Sequence, residues 1–261
     1  MKYISFDTLR TYDFNGIHFL KPDLYLKEIE SVRSADWILF PPYWQVNALV
    51  YGLQKKIFPS IATYHLGHNK IEMTRVLMTS FPDFVPYTEI LSNTEYNQEF
   101  ILTYFDYPFI AKEVKSSMGQ GVYKIDNYTD FKNYCALTET LYVQEYLPID
   151  RDMRIIFIGD QVVSSYWRIA AKDNFKNNVA QGGEITYDAI PLEAIRIVSQ
   201  IAISLGINHA GFDVAYVDGK YYIFEFNVMF GTQGLIDKKI PYGSIVLDYL
   251  NRMELATSSL K

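Results

Sequence analysis

Residues 210–231, AGFDVAYVDGKYYIFEFNVMFG, contain the pattern around which the rest of the chain is organised. Two runs within this stretch, GFDVAYV and KYYIFEF, are rich in β-branched and aromatic residues and meet at Asp218-Gly219, which predicts a β-hairpin. Asp213, Glu225 and Asn227 interrupt these apolar runs. Because a carboxylate in a half-buried strand is unfavourable unless a cation or a donor satisfies it, the three side chains are candidates for one shared site.

The length of the hairpin loop decides whether these side chains share a face of the sheet. Strand side chains alternate between faces, so a two-residue turn at Asp-Gly places Asp213 and Glu225 on opposite faces. A three-residue loop with Gly219 in the left-handed region places both acids and Asn227 on one face. The functional interpretation requires the three-residue loop, and it predicts a Mg²⁺ site that also holds substrate phosphates. A pair of solvent-facing acids is the alternative that the spacing leaves open.

Composition limits the classes of protein to which the chain can belong. Its 261 residues, 49% of them hydrophobic, are enough to bury the core of one large domain or two small ones. A formal net charge of -6 disfavours a nucleic-acid partner or an anionic membrane surface. Cys135 is the single cysteine, and the sequence shows neither a secretory signal nor an apolar run near the roughly 18 residues that span a bilayer. We therefore expect a globular, cytoplasmic protein.

The first 67 residues predict a small α/β unit. Short strand-like runs occur at residues 2–6, 37–40 and 57–63, separated by longer mixed segments. No glycine pattern typical of a phosphate site follows any of these runs, so no separate nucleotide site is expected here. His65 and His68 lack acidic or cysteine partners at ligand spacing, and we interpret them as ordinary loop residues.

The sequence NKIE at residues 69–72 has the form of a capping box and predicts a helix that ends before Pro82. Lys70 lies in the first turn, where a cation opposes the helix dipole and gains nothing locally. It therefore either faces an external anion or is a solvated lysine, and this segment alone favours the second interpretation.

Two predicted strands, residues 107–114 and 121–125, are joined by KSSMGQ at residues 115–120. A loop of such small residues leaves backbone N–H groups free to approach phosphate oxygens and can move as a flap. It is not a Walker loop, because no GKS or GKT follows and the next element is a strand. Lys112 lies inside the first apolar strand, where a charged amine needs an anionic partner.

The remaining segments complete an alternation of strands and helices. Residues 141–147 predict a strand, and Gly159-Asp160 joins a second hairpin that Arg154 and Arg168 flank. The polar segment 169–184 is long enough to be a functional loop. A core helix is expected from Pro191 to Gly206.

The order of these features resembles the ATP-grasp superfamily, and most closely its RimK-like ligases. Six motifs within residues 66–235 carry the resemblance: Asn69-Lys70 before a helix, PFIAKEVKSSMGQGV, YVQEYL, DMRIIFIGDQVVSSYWR, NFKNNVAQGG, and AGFDVAY followed by FEFNVMFG. The loop NNVAQGG is less positive than the Arg-rich loop of RimK-type enzymes, which argues against assuming glutamate as the substrate. The segment VMFG replaces the family's usual small-Pro-Gly.

The resemblance implies a role for each matching residue. Lys112 and Lys70 match the nucleotide-site lysines, Asp213, Glu225 and Asn227 the magnesium ligands, and Arg168 the arginine that steadies the transferred phosphoryl group. Asn178 matches the asparagine of the substrate loop, and Asn227 is also counted with the catalytic groups. The other implied nucleotide contacts are Ser116, Ser117, Gly119, Gln120 and Gly121 in the phosphate loop, Gln144, Glu145, Tyr146 and Leu147 at the adenine hinge, and Asp150 at the ribose.

The implied fold is α+β, an ATP-grasp fold in which two α+β subdomains clasp ATP behind a small N-terminal α/β domain. We expect that domain at residues 1–67 and the ATP-grasp domain at residues 68–261, with a lid at about 85–145 and a catalytic subdomain at about 146–250.

The implied activity is an ATP-dependent ligase that joins the carboxylate and the amine of peptide or small-molecule substrates through an acyl phosphate. Its expected cofactors are ATP and two Mg²⁺ ions, with Mn²⁺ as the alternative metal. No membrane partner is expected, and a homodimer is one expected assembly. A nucleotide-binding regulatory protein without ligase activity, or a phosphotransferase on the same fold, is the alternative.

Overall fold

The computed structural model describes residues 1–114, 121–169 and 184–258. Three sheets, of four, five and four strands, organise these residues, and helices cover them. None of the helices in the described ranges is long and apolar enough to cross a membrane.

The N-terminal unit is a four-stranded parallel sheet of order β2-β1-β3-β4. Its strands are β1 (Tyr3–Ser5), β2 (Ile17–Phe19), β3 (Trp37–Leu39) and β4 (Lys56–Phe58). Its helices are α1 (Thr8–Thr11), α2 (Ile29–Ser34), α3 (Tyr43–Asn47) and α4 (Ile61–His68), with a 3₁₀ turn at Pro22–Leu24 and a π-helical turn at Ala48–Gly52. Strands and helices therefore alternate in this unit, and its predicted boundary at residue 67 stays a prediction.

The third predicted strand of this unit ends earlier than expected. Ser60 Oγ accepts a hydrogen bond from the Thr63 amide at 3.1 Å and so begins α4, because it satisfies one free N–H of the first helical turn. His65 and His68 consequently lie in a helix, and the expectation that they are loop residues is wrong. The ring of His68 stacks on Tyr43 with centroids 3.5 Å apart, which gives it a packing role.

The predicted helix after Asn69 is α5 (Lys70–Ser80), followed by a 3₁₀ turn at Pro82–Phe84. Asn69 Oδ1 accepts from the Ile71 amide at 2.9 Å. The cap therefore reaches the second helical amide, whereas a capping box uses the third. Met73, Thr74 and Leu77 are the buried residues of the helix.

The lid is an antiparallel sheet of order β5-β8-β6-β7. Its elements are β5 (Thr88–Ser92), α6 (Glu95–Tyr104), β6 (Phe109–Lys112), β7 (Val122–Ile125), α7 (Tyr128–Cys135) and β8 (Thr140–Glu145). One face packs on the two helices through residues such as Phe109, Phe131 and Leu141. Because strand side chains alternate, Lys112 and Gln144 lie on the opposite face.

The third unit is an antiparallel sheet of order β11-β10-β9-β12-β13. Its strands are β9 (Arg151–Ile158), β10 (Gln161–Ile169), β11 (Glu184–Thr186), β12 (His209–Val217) and β13 (Lys220–Asn227). Its helices are α8 (Leu192–Ser204), α9 (Gln233–Asp237) and α10 (Tyr242–Ser258). The helix expected after Pro191 is confirmed, and Gly206 follows it with φ +68°.

The N-terminal unit and the third unit share one hydrophobic core. Ile4 and Ile38 belong to the same buried cluster as Phe157, Ile201 and Phe212. The lid has a separate core of its own. Burial of one such side chain contributes about 1.5–3 kcal/mol, so the shared cluster joins the N-terminal unit to the third sheet. The separate cluster agrees with a lid, whose bounds and movement stay a prediction.

A close approach at Gly67 fixes α4 against the end of β13. A Cβ atom on Gly67 would lie 2.2 Å from Val228 Cγ2 and 3.1 Å from the Phe226 ring. We expect Gly67→Ala to lower the free energy of unfolding by about 1–3 kcal/mol, the cost of overpacking a filled site. Gly52→Ala is the control, since its Cβ would meet nothing within 4 Å. Urea denaturation measures both, and equal stability of the two variants would contradict this packing.

Candidate active site

The hairpin between β12 and β13 has a two-residue turn, so the predicted three-residue loop is wrong. Val217 pairs with Lys220, and both turn residues have positive φ, 48° at Asp218 and 83° at Gly219. Asp213 nevertheless pairs directly with Glu225. Residues directly opposite each other in a ladder share a face, so the two carboxylates do lie on the same side of the sheet.

Two β-bulges produce this arrangement. In β13 the register passes from Val214↔Ile223 to Asp213↔Glu225, which makes Phe224 an extra residue. In β10 it passes from Val162↔Phe157 to Ser164↔Ile156, which makes Val163 an extra residue. Each bulge moves every side chain beyond it to the opposite face of the sheet. As a result the polar residues of four strands meet on one face: Asp152 and Arg154 of β9, Arg168 of β10, Asp213 of β12, and Glu225 and Asn227 of β13.

Glu225 and Asn227 form one edge of this polar face, and Lys70 joins them there. Asn227 Nδ2 donates to Glu225 Oε1 at 3.3 Å. Lys70 Nζ, at the start of α5, lies 3.6 Å from Glu225 Oε2. The structure therefore brings Lys70 to the predicted metal ligands, where its charge is partly balanced by a carboxylate.

A buried network of arginines and acids forms the centre of the face. Arg168 makes a bidentate pair with Asp152, with Nε–Oδ1 and Nη2–Oδ2 distances of 2.7 Å each. Arg168 Nη2 also lies 3.0 Å from Asp213 Oδ2. Burial alone would lower the pKa of Arg168, but the Asp213 and Asp152 carboxylates outweigh it and raise that pKa. Burial raises the pKa of Asp152, against the opposing effect of Arg168.

Asp213 Oδ1 is only partly satisfied in this network. Arg154 Nε lies 2.7 Å from it, yet both atoms lack a hydrogen bond of acceptable geometry with any described residue. The contact is electrostatic, because the two atoms are close but the Nε–H bond does not point at the carboxylate oxygen. A buried carboxylate oxygen without a donor is suited to a cation.

The oxygen donors of this face fit a divalent hard cation. Two carboxylates and one amide offer oxygen ligands only, which suits Mg²⁺ or Mn²⁺ and not a soft metal. In the part of the chain that the structure describes, no group of three or more His, Cys, Asp or Glu residues is arranged to hold a metal. Asp213, Glu225 and Asn227 would therefore hold the ion with substrate phosphates completing its shell.

Lys112 faces this site from the lid. The residue is 8% exposed, and its Nζ donates to Gln144 Oε1 at 2.8 Å. Nζ also lies 5.3 Å and 5.9 Å from the ring centroids of Tyr142 and Phe224. No carboxylate among the described residues lies within ion-pair distance of Nζ. Burial lowers the pKa of Lys112, while the more distant Glu225 and Asp213 oppose the shift. A buried amine in this state lacks an anion, which a phosphate would supply.

The hinge residues are mostly bonded within the lid. Gln144 is buried between Lys112 and Thr88, whose Oγ1 accepts from Gln144 Nε2 at 2.8 Å. Glu145 Oε1 accepts from the Tyr87 amide at 2.7 Å, and the Glu145 amide donates to Tyr87 O at 2.9 Å. The Glu145 side chain is therefore already bonded to Tyr87. An adenine base would have to be held by backbone groups of the residues that follow Glu145.

The residues after Glu145 are less constrained. The Tyr146 ring lies 5.3 Å from Lys124 Nζ, and Leu147 O accepts from the Ile149 amide at 2.9 Å. Asp150 is exposed and makes no hydrogen bond or ion pair with another described residue. These three remain predictions as nucleotide contacts.

Several predicted site residues lie outside the described ranges: Ser116, Ser117, Gly119, Gln120 and Asn178. Gly121, which ends the predicted phosphate loop, is described. It has φ +67°, and its carbonyl accepts from the Glu113 amide at 2.7 Å. It therefore closes the hairpin that carries Lys112.

Asp152, Arg154 and Phe224 are site residues that the sequence prediction did not include. Asp152 and Arg154 lie two apart in the strand DMRIIFI, where a polar pair among apolar residues is a readable signal of one shared face. Phe224 carries no such signal, because its place beside Lys112 depends on the bulge.

Comparison with known proteins identifies the family of the chain. A family model described as the RimK-like ATP-grasp domain matches residues 67–250. The coenzyme γ-F420-2:α-L-glutamate ligase of Methanococcus maripaludis is 26% identical over 211 residues, which cover 76% of this chain and 73% of that protein. A probable α-L-glutamate ligase of Syntrophotalea carbinolica is 24% identical over 157 residues, 58% of this chain and 52% of that protein.

A solved structure supports the fold independently of sequence. The RimK domain ATP-grasp protein of Sphaerobacter thermophilus superposes with a TM-score of 0.70 at 12% identity, over 95% of this chain and 99% of that one. The fold is α+β and of the ATP-grasp type, as the sequence predicts. The chain belongs to the RimK-like ATP-grasp family, whose members use ATP.

Proposed function

We propose that the protein is an ATP-dependent ligase that joins a substrate carboxylate to an amine through an acyl phosphate, with release of ADP and phosphate. The observation that supports this proposal most strongly is the meeting of two groups of side chains: oxygen ligands on one sheet face, and the buried Lys112, which has no carboxylate partner among the described residues. The similar α-L-glutamate ligases support the reaction class.

The residues of the chain supply the requirements of phosphoryl transfer. Lys112 and Lys70 hold phosphate oxygens, and Arg168 meets the charge that develops on the transferred group. Bound Mg²⁺ would neutralise phosphate charge at Asp213, Glu225 and Asn227. No covalent protein nucleophile is required, because positioning and charge neutralisation provide most of the catalysis. The substrates are a carboxylate and an amine of small-molecule or peptide size.

Turnover measurements test this proposal. Purified protein is incubated with ATP, Mg²⁺ and pools of carboxylates and amines, and ADP release and product mass are recorded. We expect amide formation with one pair, lost in Glu225→Gln, since the amide side chain removes one metal-bound charge. Stoichiometric ATP binding without ADP release from any pool would identify a regulatory nucleotide-binding protein.

A further inference from the structure

His209 is a buried polar side chain that the proposed mechanism does not use. It is the first residue of β12 and is fully buried, and its ring centroid lies 5.2, 5.5 and 4.7 Å from those of Phe40, Phe58 and Phe230. Burial, together with the nearby charge of Arg10, lowers the pKa of His209 to about 3, so the imidazole is neutral at physiological pH. A neutral imidazole has one N–H donor and one acceptor, and both need partners when the ring is buried.

Two hydrogen bonds fix the orientation and the tautomer of this ring. Nδ1 lies 2.9 Å from the carbonyl oxygen of Val228, which can only accept, so Nδ1 carries the proton and donates it. Nε2 is then the acceptor, and the Tyr242 hydroxyl donates to it at 2.9 Å. Burial raises the pKa of Tyr242, and the guanidinium of Arg10 beside the hydroxyl opposes that rise. His209 therefore links Val228 to a tyrosine of α10 that lies beside a cation of the N-terminal unit.

Side-chain hydrogen bonds hold the chain where the backbone ladder of β13 ends. Asn227 is the last residue of β13. Beyond it, the Val228 carbonyl accepts from His209, and the Phe230 carbonyl accepts from Arg10 Nη2 at 3.1 Å. The four residues after Asn227, VMFG, include no proline whose ring would stiffen the backbone. Side chains of β12 and α1 therefore fix the segment that directly follows a proposed metal ligand.

We propose that His209 is a positioning residue for the metal site: through Val228 it fixes the backbone beside Asn227, so that the amide oxygen of Asn227 faces the ion. Asn227 Nδ2 donates to Glu225 Oε1 at 3.3 Å, which leaves Oδ1 as the atom that a cation would contact. Removing a group that orients a metal ligand from outside the coordination shell typically weakens metal binding by roughly 10- to 100-fold. The inference rests on the proposed function, since that function supplies the metal site.

The experiment measures Mn²⁺ binding directly, from the EPR signal of the free ion, with a non-hydrolysable ATP analogue bound to the protein. His209→Leu removes both hydrogen bonds but keeps an apolar side chain among the aromatic rings. We expect its Kd for Mn²⁺ to rise by roughly 10- to 100-fold. His209→Asn should bind Mn²⁺ more tightly than His209→Leu, because the amide Nδ2 can donate to the Val228 carbonyl in place of Nδ1.

Tyr242→Phe is the milder test, and it decides the matter where the His209 variants do not fold. It removes only the hydroxyl that donates to Nε2, so the Kd for Mn²⁺ should rise by roughly 2- to 12-fold, the range for one hydrogen bond. Val246→Ala is the matched control, because Val246 is fully buried in the same helix and the same apolar cluster as Tyr242. It removes apolar volume and no hydrogen bond, so its Kd for Mn²⁺ should equal that of the wild type.

ADP release by the same proteins separates this inference from the ligase proposal. If His209→Leu and Tyr242→Phe bind Mn²⁺ as tightly as the wild type, or if Val246→Ala weakens binding as much as they do, the positioning role is overturned while wild-type turnover still supports the ligase. If Mn²⁺ binding changes as expected but the wild type releases no ADP with any substrate pool, the ligase is overturned and the positioning role stands. Wild-type protein that binds no Mn²⁺ beyond the analogue alone overturns the metal site, and the role of His209 with it.

Discussion

Lys112→Met is expected to weaken ATP binding by roughly 10- to 150-fold while leaving the ligand-free protein folded and at least as stable as the wild type. The affinity loss is that of about 1.5–3 kcal/mol for a hydrogen bond to a charged group. The stability expectation follows from the surroundings of Nζ, which are Gln144 and two aromatic rings. Replacing a buried charge without a counter-ion by an apolar side chain of similar length is neutral or stabilising.

Calorimetry with ATP and Mg²⁺, together with thermal unfolding in their absence, measures both effects. Lys112→Ala should weaken ATP to the same degree but leave a cavity, so it is the less stable of the two variants. Lys132→Met is the control, since this lysine of α7 is exposed and its Nζ donates to Gln98 Oε1 at 2.8 Å. Unchanged ATP affinity in Lys112→Met, or loss of the ligand-free fold, would contradict a nucleotide role for this lysine.

The identity of the candidate site residues could be predicted from the sequence, but their shared face could not be derived from the spacing. Asp213, Glu225 and Asn227 stand out because they interrupt apolar runs, and strand alternation makes that readable. Asp213 and Glu225 lie on the same face of the sheet only if the hairpin contains one extra residue. The functional interpretation of the sequence requires this extra residue in the turn, whereas the structure has it at Phe224 within the strand. The local amino-acid composition does not distinguish an extra residue in the turn from an extra residue within the strand.

The N-terminal unit shows a similar limit at short elements. The apolar run at residues 57–63 predicted one strand, but Pro59-Ser60 divides it into the end of β4 and the cap of α4. The sequence does not predict β2, because a strand of three residues, two of them exposed, is too short to show a clear period. Long periodic elements such as α8 were predicted well, since a buried stripe over several turns outweighs local ambiguity.

Side-chain partnership was the least predictable feature. The resemblance assigns Arg168 to the transferred phosphoryl group, and the structure shows that it is also the bidentate partner of Asp152. That pairing depends on the bulge at Val163, without which Arg168 would lie opposite Arg151 and on the other face. Experiments must therefore separate the proposed catalytic role of Arg168 from its role in neutralising the charge of the buried acids.

Arg168→Ala is expected to lower turnover by two to three orders of magnitude, the usual scale for removing one donor to the transition state. It should also lower the free energy of unfolding by about 3–5 kcal/mol, because Asp152 and Asp213 lose a buried partner. The single variant thus mixes two effects. Measurements of turnover alone cannot distinguish them.

Asp152→Asn separates the two effects, because it removes the charge that Arg168 balances and nearly preserves the shape. We expect the double variant Arg168→Ala/Asp152→Asn to be more stable than the sum of the two single changes predicts, by about 0.5–3 kcal/mol, because the two residues are coupled neighbours. Turnover should stay as low in the double variant as in Arg168→Ala, with ATP affinity near that of the wild type, since the contact strengthens only in the transition state. Chemical denaturation, calorimetry and ADP release measure the three quantities. If the second substitution restores turnover together with stability, Arg168 acts by holding Asp152 and Asp213 in place, and the phosphoryl group must be stabilised by other cations of the site.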